Sequence, residues 1–477
     1  MNTKNMTQKN MNRERSSTKL VKKILAMFHK QGILYTILRD YQFLFDRTST
    51  VVKDLDVVVQ QIDLSHIHAL LKQGGFFRQP ISPFSNHAGY SIYLPEEEKL
   101  LRFHFHIGGV SGGHVIYLPA KTLFARKKMV GSRKLGFWSV ISDEDTLVTM
   151  LIHGGLDKQG LLREKIIDQL QILRKKARKH KLDLNYVETN LNMLLGKDLA
   201  RQFLKFFFDG AFEDISNYAV KKRRAFLMAQ PQRLLIALYV RMCSAIWHGL
   251  RRLRSAPLIS FIGMDGTGKT TVTHYLISLL QKNNVRSAWI YTGRGRKNIL
   301  PIQFFGKHYK HVEKKIDSRQ QEQNLSDPFA TVSWKRSLIY TFAAPVFACD
   351  LLLRYFIHIF PKRHADTVVI TDRYSSDLLV MKHVPEWFRM FLYTFFPRPT
   401  QVIYLYNKPG VLYQRKPNHP RGDLERQQLI FHRILPIIHP YQIKSVTKKR
   451  TARAVAEISF KTILQYGETS SRILRRG

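Results

Sequence analysis

The chain has 477 residues, 44% of them hydrophobic, enough to bury the cores of roughly two to four domains. It carries 77 Lys and Arg against 35 Asp and Glu, a formal net charge of +42, and only two cysteines. This composition excludes a wholly disordered chain and a disulfide-stapled scaffold. The charge either attracts a polyanion (nucleic acid, anionic lipid, a phosphorylated substrate) or is a compositional habit spread over solvated faces. Short runs such as "RKKARKHK" (174–181), "VKKRRAF" (220–226) and "KKR" (448–450) leave both readings open, because no single block dominates.

Residues 1–18 are polar and read as a disordered tail with no apolar core of a signal peptide. Residues 19–142 read as an α+β unit. "LVKKILAMFHKQG" (20–32) has helical spacing, "ILYTIL" (33–38) and "KDLDVVVQ" (53–60) read as strands, and "SHIHALLKQGGF" (65–76) as a helix ended by glycine. "GYSIYL" (89–94) and "KLLRFHFHIG" (99–108) read as paired strands, with "EEE" (96–98) in the turn.

Residues 143–256 turn helical. "DEDTLVTMLIHGGLDKQ" starts with acidic residues suited to a helix N-terminus, and "LREKIIDQLQILRKKARKH" is amphipathic with cations toward its end. The longest apolar runs are 234–250 and 341–360. The first contains Arg241 and the second Asp350 and Arg354, so both read as buried or interfacial helices rather than bilayer spans. Cys243 and Cys349 lie in these runs and read as core residues in a reducing compartment. Basic flanks such as "RRLR" (251–254) suit anionic headgroups, so peripheral contact with an anionic membrane is a second expectation beside a cytoplasmic location.

After Pro257 the pattern alternates strand and helix. Continuous apolar strands, "LISFIG" (258–263), "SAWIYT" (287–292), "TVVITD" (367–372) and "QVIYLY" (401–406), predict an α/β region over 257–477 with a parallel sheet flanked by helices. The first strand runs into Gly263-x-x-x-x-Gly268-Lys269-Thr270, the Walker A pattern, followed by a helical "TTVTHYLISLLQKN". Glycines let backbone N–H groups converge on phosphate oxygens, and a helix N-terminus adds its positive end. Gly263, Asp265, Gly266, Thr267, Gly268, Lys269, Thr270 and Thr271 are therefore expected to hold a nucleotide, with Lys269 on the phosphates and Thr270 on Mg²⁺. Asp372 ends an apolar strand, where a carboxylate faces the crevice of such a sheet, and Arg373 beside it can clamp a phosphate. Arg415, Lys416 and Arg421 stand in a Pro-broken basic loop between two helices, where a closing lid can bring cations onto a transferring phosphoryl group.

"GMDGTGKTT", "DRY" at the end of the third strand and the stretch "PGVLYQRK…LERQQLIFHRI" together resemble the thymidylate kinase family over about 258–440. The resemblance implies a five-stranded parallel sheet of the P-loop kinase fold, ATP and Mg²⁺ as cofactors, Asp265 near the acceptor, and Asp372 and Arg373 serving the metal and the acceptor phosphate. Where that family carries an Arg-Glu-Pro-Gly acceptor loop this chain has "YTGRGRKNILP" (291–301), in which Arg294 and Arg296 suit an anion. The pattern is closer to the thymidylate-kinase-like proteins of bacterial polysaccharide gene clusters, which implies a nucleotide or sugar-type acceptor.

"ILRDY…DRTSTVVKDLDVVV" (37–59) resembles the nucleotidyltransferase superfamily, with Asp54 and Asp56 as its D-x-D metal pair on one strand face. The Gly-Ser that precedes the pair in that superfamily is replaced by "STVVK", and no third carboxylate is evident. The later strand instead presents His104 and His106 on one face, a pair that is either structural or metal-ligating. His153 reads as a packed helix residue. Three readings follow: an ATP-dependent phosphotransferase joined to a nucleotidyltransferase-like α+β domain with a helical extension; a nucleotide-binding recruitment module at a membrane or glycan-assembly complex with degenerate catalytic sites; and a nucleic-acid end-processing enzyme, ranked last because no nucleic-acid-binding module is recognisable.

Overall fold

A computed structural model describes residues 15–45, 54–112, 115–132, 136–152, 164–215, 217–218, 231–293, 299–300, 334–381, 384–417 and 421–476. The chain divides into two compact units, Met1–Leu250 with Gly467–Gly477, and Arg251–Tyr466.

The first unit opens with helix α1 (Ser16–Lys30), whose Val21, Ile24, Leu25 and Phe28 recur at helical spacing and are fully buried. Strand β1 (Tyr35–Ile37), β2 (Asp54–Val59), α2 (Leu64–Gln73), β3 (Phe77–Arg78), β4 (His87–Leu94) and β5 (Lys99–Ile107) follow. A small antiparallel pair, β6 (Gly109–Gly112) and β7 (Val115–Pro119), precedes α3 (Ala120–Ala125), β8 (Lys128–Ser132) and β9 (Gly136–Val140). Seven strands form one mixed sheet in the order β3-β4-β5-β2-β1-β9-β8. Strands β2 and β5 are parallel, with Asp56 beside His104, while β4 and β5 are antiparallel, with His87 beside His106. One face of the sheet packs Phe28, Tyr90, Phe103 and Phe105 into a core. The helical part is α4 (Asp143–Ile152), α5 (Glu164–Arg178), α6 (Leu184–Leu195), α7 (Lys197–Asp209) and α8 (Pro231–Arg252). Leu147, Leu151, Leu170, Leu191, Phe203 and Phe207 join in a second core. His153 lies outside the described residues.

The second unit begins with β10 (Leu258–Gly263), α9 (Lys269–Lys282) and β11 (Ser287–Tyr291). Helix α10 (Trp334–Arg354) continues through a π-turn (Tyr355–Ile359) into α11 (Phe360–His364), then β12 (Val368–Asp372), α12 (Ser376–Leu379) and α13 (Glu386–Thr394). The last elements are β13 (Gln401–Tyr406), α14 (Pro409–Arg415), α15 (Arg421–Ile438), β14 (Tyr441–Lys444) and α16 (Lys448–Arg476). The five strands run parallel in the order β11-β12-β10-β13-β14. Every residue of β10 and β12 is buried, as continuous apolar strands require when helices cover both faces. Leu258, Leu351, Tyr355, Val369 and Phe396 form one covering cluster, and Ile262, Tyr404, Leu412, Leu424 and Phe431 another.

The two apolar runs are helical but not simply interior. On α8, Leu235, Ile236, Leu238, Tyr239, Met242 and Ile246 are exposed. Cys243 is half-buried and Cys349 exposed, which corrects the expectation that both are core residues. With ~100° of rotation per helical residue, burying Asp350 turns its neighbour Cys349 outward. Among the described residues one segment, Ser337–His364, has the length and composition to cross a membrane, and 39% of its apolar window is buried.

The charges in that segment form a buried ion pair, Asp350 with Arg354 Nη2 one turn later, 0% and 2% exposed. The other Asp350 oxygen accepts the backbone N–H groups of Ile299 and Leu300 at 2.7 and 2.8 Å, and Arg354 donates to the Gly293 carbonyl at 3.3 Å. The pair ties α10 to the chain beyond β11. Replacing Asp350 alone by Ala strands a buried guanidinium and is expected to destabilise the protein by ~3–5 kcal/mol in urea denaturation. Asp350→Leu combined with Arg354→Met removes both charges and is expected to recover most of that loss.

Candidate functional site

The glycine loop leaves β10 where the sheet's central strand ends. Gly263 sits at φ +145°, and a Cβ there would strike the Leu405 carbonyl of neighbouring β13, so only glycine admits this approach. Gly268 caps α9 in the left-handed region at φ +84°, which turns the chain into the helix. Gly266, also at positive φ, lies against the Leu412 carbonyl and the Lys416 side chain. Thr267 is buried and its hydroxyl donates to the Met264 carbonyl at 2.8 Å. Thr271 is exposed one position beyond Thr270 on α9.

Lys269 is buried, and its ammonium donates to the carbonyls of Gly263 and Met264, each at 2.9 Å. Burial pushes its pKa down from 10.5 to about 8; the Arg373 charge adds to the effect, and Asp265 and Asp372 oppose it. The Thr270 hydroxyl, in the first turn of α9, donates to Asp372 Oδ2 at the end of β12, 2.8 Å away. Asp372 is 2% exposed, and its Oδ1 has no hydrogen bond among the described residues. A buried carboxylate oxygen left in this state beside a threonine hydroxyl is the donor set of a hard cation, and the pair fits Mg²⁺.

Arg373 follows at φ +68°, an uncommon conformation for a side chain of its size. Its amide donates to the Phe261 carbonyl at 2.9 Å and its carbonyl accepts the Thr292 hydroxyl at 2.6 Å, so three strand ends hold the turn. This turn aims the guanidinium at Asp265 Oδ1, 3.0 Å away, with Asp377 at 3.9 Å. The glycine loop, Lys269, Thr270, Asp265, Asp372 and Arg373 thus converge at one edge of the sheet.

The lid cations are placed differently. Arg415 donates to the Ser445 hydroxyl and to the carbonyls of Ser445 and Val446 at 2.7–3.0 Å, and Ser445 in turn donates to the Thr267 carbonyl at 2.9 Å. Arg415 therefore braces the glycine loop from behind, its donors satisfied by carbonyls. Arg421 is exposed and pairs with Glu425 one turn on at 3.0 Å, a surface contact of little energetic weight. Arg294 and Arg296 lie outside the described residues. Four bracing residues carry no motif in the sequence: Ser445, Thr292, Asp377 and Gln427, whose side-chain oxygen accepts the Asp265 N–H at 3.4 Å.

In the first unit, Asp54 and Asp56 stand on one face of β2. Asp54 is exposed and 3.5 Å from Arg102 Nη1. Asp56 receives Arg39 Nε at 2.7 Å, and His104 Nδ1 lies 3.2 Å from its other oxygen. Burial raises the Asp56 carboxyl, but the two imidazoles and the Arg39 charge outweigh it and hold it far below the usual carboxylate range. His104 and His106 do share a face, together with His87 from β4.

Lys269 makes stability depend on pH. The unfolded lysine keeps its proton up to about 10.5 and the folded one releases it near 8. Between these values the unfolded chain binds more protons, so stability rises with pH. Relative to Lys269→Met, the wild type is expected to gain up to ~3 kcal/mol between pH 8 and 10.5 in denaturant titrations. Comparison of the chain with family models and with curated proteins finds no match, so the site's own geometry carries the functional reading.

Proposed function

We propose that the second unit is an ATP-dependent phosphotransferase of the P-loop, thymidylate-kinase-like type. The observation that carries this reading is the contact between Thr270 and Asp372, with the second Asp372 oxygen making no hydrogen bond among the described residues and buried Lys269 on the same loop. In this reading, the loop N–H groups and Lys269 bind the β- and γ-phosphates. Thr270 and Asp372 hold Mg²⁺, which supplies charge neutralisation on the transferring phosphoryl group. Lys269 exchanges its two carbonyl partners for phosphate oxygens. Arg373, paired with Asp265, lies where an acceptor phosphate or hydroxyl docks. The acceptor is a small nucleotide or sugar-type molecule, which fits polysaccharide biosynthesis. The first unit is read as nucleotidyltransferase-like.

Mg-ATP binding to the full chain tests the proposal. Lys269→Ala is expected to weaken it at least ~10²-fold, and Asp372→Asn to abolish the Mg²⁺ dependence while ATP alone still binds. Equal tight binding by wild type and Lys269→Ala would sink it. Turnover against a panel of nucleoside monophosphates, sugars and polyols identifies the acceptor.

One observation favours a second reading, recruitment to an anionic membrane. Phe342 and Val346 on α10, and Trp387, Phe391 and Phe395 on α13, are exposed in a chain of net charge +42. Absence of any phosphorylated product, together with ATP-dependent retention on anionic vesicles, would favour recruitment.

A further inference from the structure

His87, His104 and His106 of the first unit take no part in the proposed phosphotransfer. His104 and His106 alternate on β5, and His87 stands opposite His106 on antiparallel β4. The strand pleat puts all three on one face, with ring centroids 4.7–5.0 Å apart. One nitrogen from each lies within 4.8 Å of the other two. Zn–N bonds of about 2.0–2.1 Å set tetrahedral nitrogens roughly 3.4 Å apart, so the rings need to close by only ~1.5 Å.

Two further features point to a ligand. His106 is buried at 8% exposure, yet among the described residues neither ring nitrogen has a hydrogen bond, its Nε2 lying 3.9 Å from Asp56 Oδ1. A buried imidazole whose nearest acceptor stands at 3.9 Å is only partly compensated for its desolvation, and a bound ligand would complete it. The other rings are already oriented. Asp56 Oδ1 lies 3.2 Å from His104 Nδ1, and Ser111 Oγ lies 3.1 Å from His87 Nε2. A carboxylate or hydroxyl on one nitrogen of an imidazole is the arrangement that fixes its tautomer and aims the opposite nitrogen at a metal. Arg39 holds the second Asp56 oxygen, which keeps the carboxylate in that orienting role.

We propose that His87, His104 and His106 form a three-nitrogen site for a divalent transition metal of the zinc class, with Asp56 as the positioning carboxylate. Imidazole donors select zinc-class ions over Mg²⁺, which takes oxygen ligands. His104, with 37% of its side chain exposed, opens the site to solvent and leaves a fourth position for water or another oxygen donor.

The test uses the purified full chain, stripped of metal and titrated with Zn²⁺ against a chromophoric chelator, with Mg²⁺ in excess. Wild type is expected to bind one zinc in the submicromolar range, and cobalt to give the intense visible bands of a tetrahedral site. His87→Ala and His104→Ala are expected to weaken zinc binding by ~100-fold or more, and Asp56→Asn by roughly 10- to 100-fold. His66→Ala, an exposed histidine on α2, is expected to bind like wild type. Circular dichroism and melting midpoints establish that the variants fold. Failure of the wild type to retain zinc in the presence of Mg²⁺ would overturn the proposal without reference to any variant. So would folded His87→Ala and His104→Ala proteins that bind zinc as tightly as wild type.

Discussion

Strand β10 is the constraint on which the second unit depends. It pairs in parallel with β12 on one side and β13 on the other, neither of them its sequence neighbour. Its carboxyl end is therefore where the strand order reverses, the place at which open parallel sheets bind their ligands. The close approach of Gly263 to the Leu405 carbonyl sets where the glycine loop departs. The register that aligns Phe261 with Asp372 sets which side chain of β12 faces it. Shifting that register by one residue would turn Asp372 into the opposite helix layer and leave Thr270 without its partner.

Around that point most of the polar groups hold one another. Lys269 caps the carbonyls of its own loop, Thr270 holds Asp372, and Arg373 holds Asp265 from a left-handed turn. In the proposed phosphotransferase, a polyphosphate and a cation would replace two of these contacts with stronger ones: the ammonium would exchange carbonyls for phosphate oxygens, and the carboxylate a hydroxyl for a metal. Lys269 and Asp372 are both buried, so charge interactions between them and a ligand would be screened less than at the surface.

The first unit follows a different logic. Its mixed sheet places β2 parallel to β5 and β4 antiparallel to β5, so residues from three strands meet on one face. The D-x-D pair is paired by Arg39 and Arg102 rather than standing among carboxylates, and three imidazoles occupy the neighbouring positions.

Much of this was legible in the residues. Period-two alternation in "KLLRFHFHIG" placed His104 and His106 on one face, and continuous apolar runs gave the four principal strands of the parallel sheet, because side-chain periodicity is a local property. Strand β14, the edge strand β8 and its neighbour β9 carried too little apolar pattern to be read. The glycine spacing, Lys269, Thr270 and the Asp372–Arg373 pair were likewise visible, since the backbone demands of a tight turn admit few residue types. Tertiary structure alone decided that His87 joins the other two histidines, that Arg415 braces Ser445 instead of facing the crevice, that Gln427 reaches Asp265, and that Asp350 and Arg354 bury each other. These depend on strand pairing and on packing between segments far apart in the chain, for which the sequence holds no local signal.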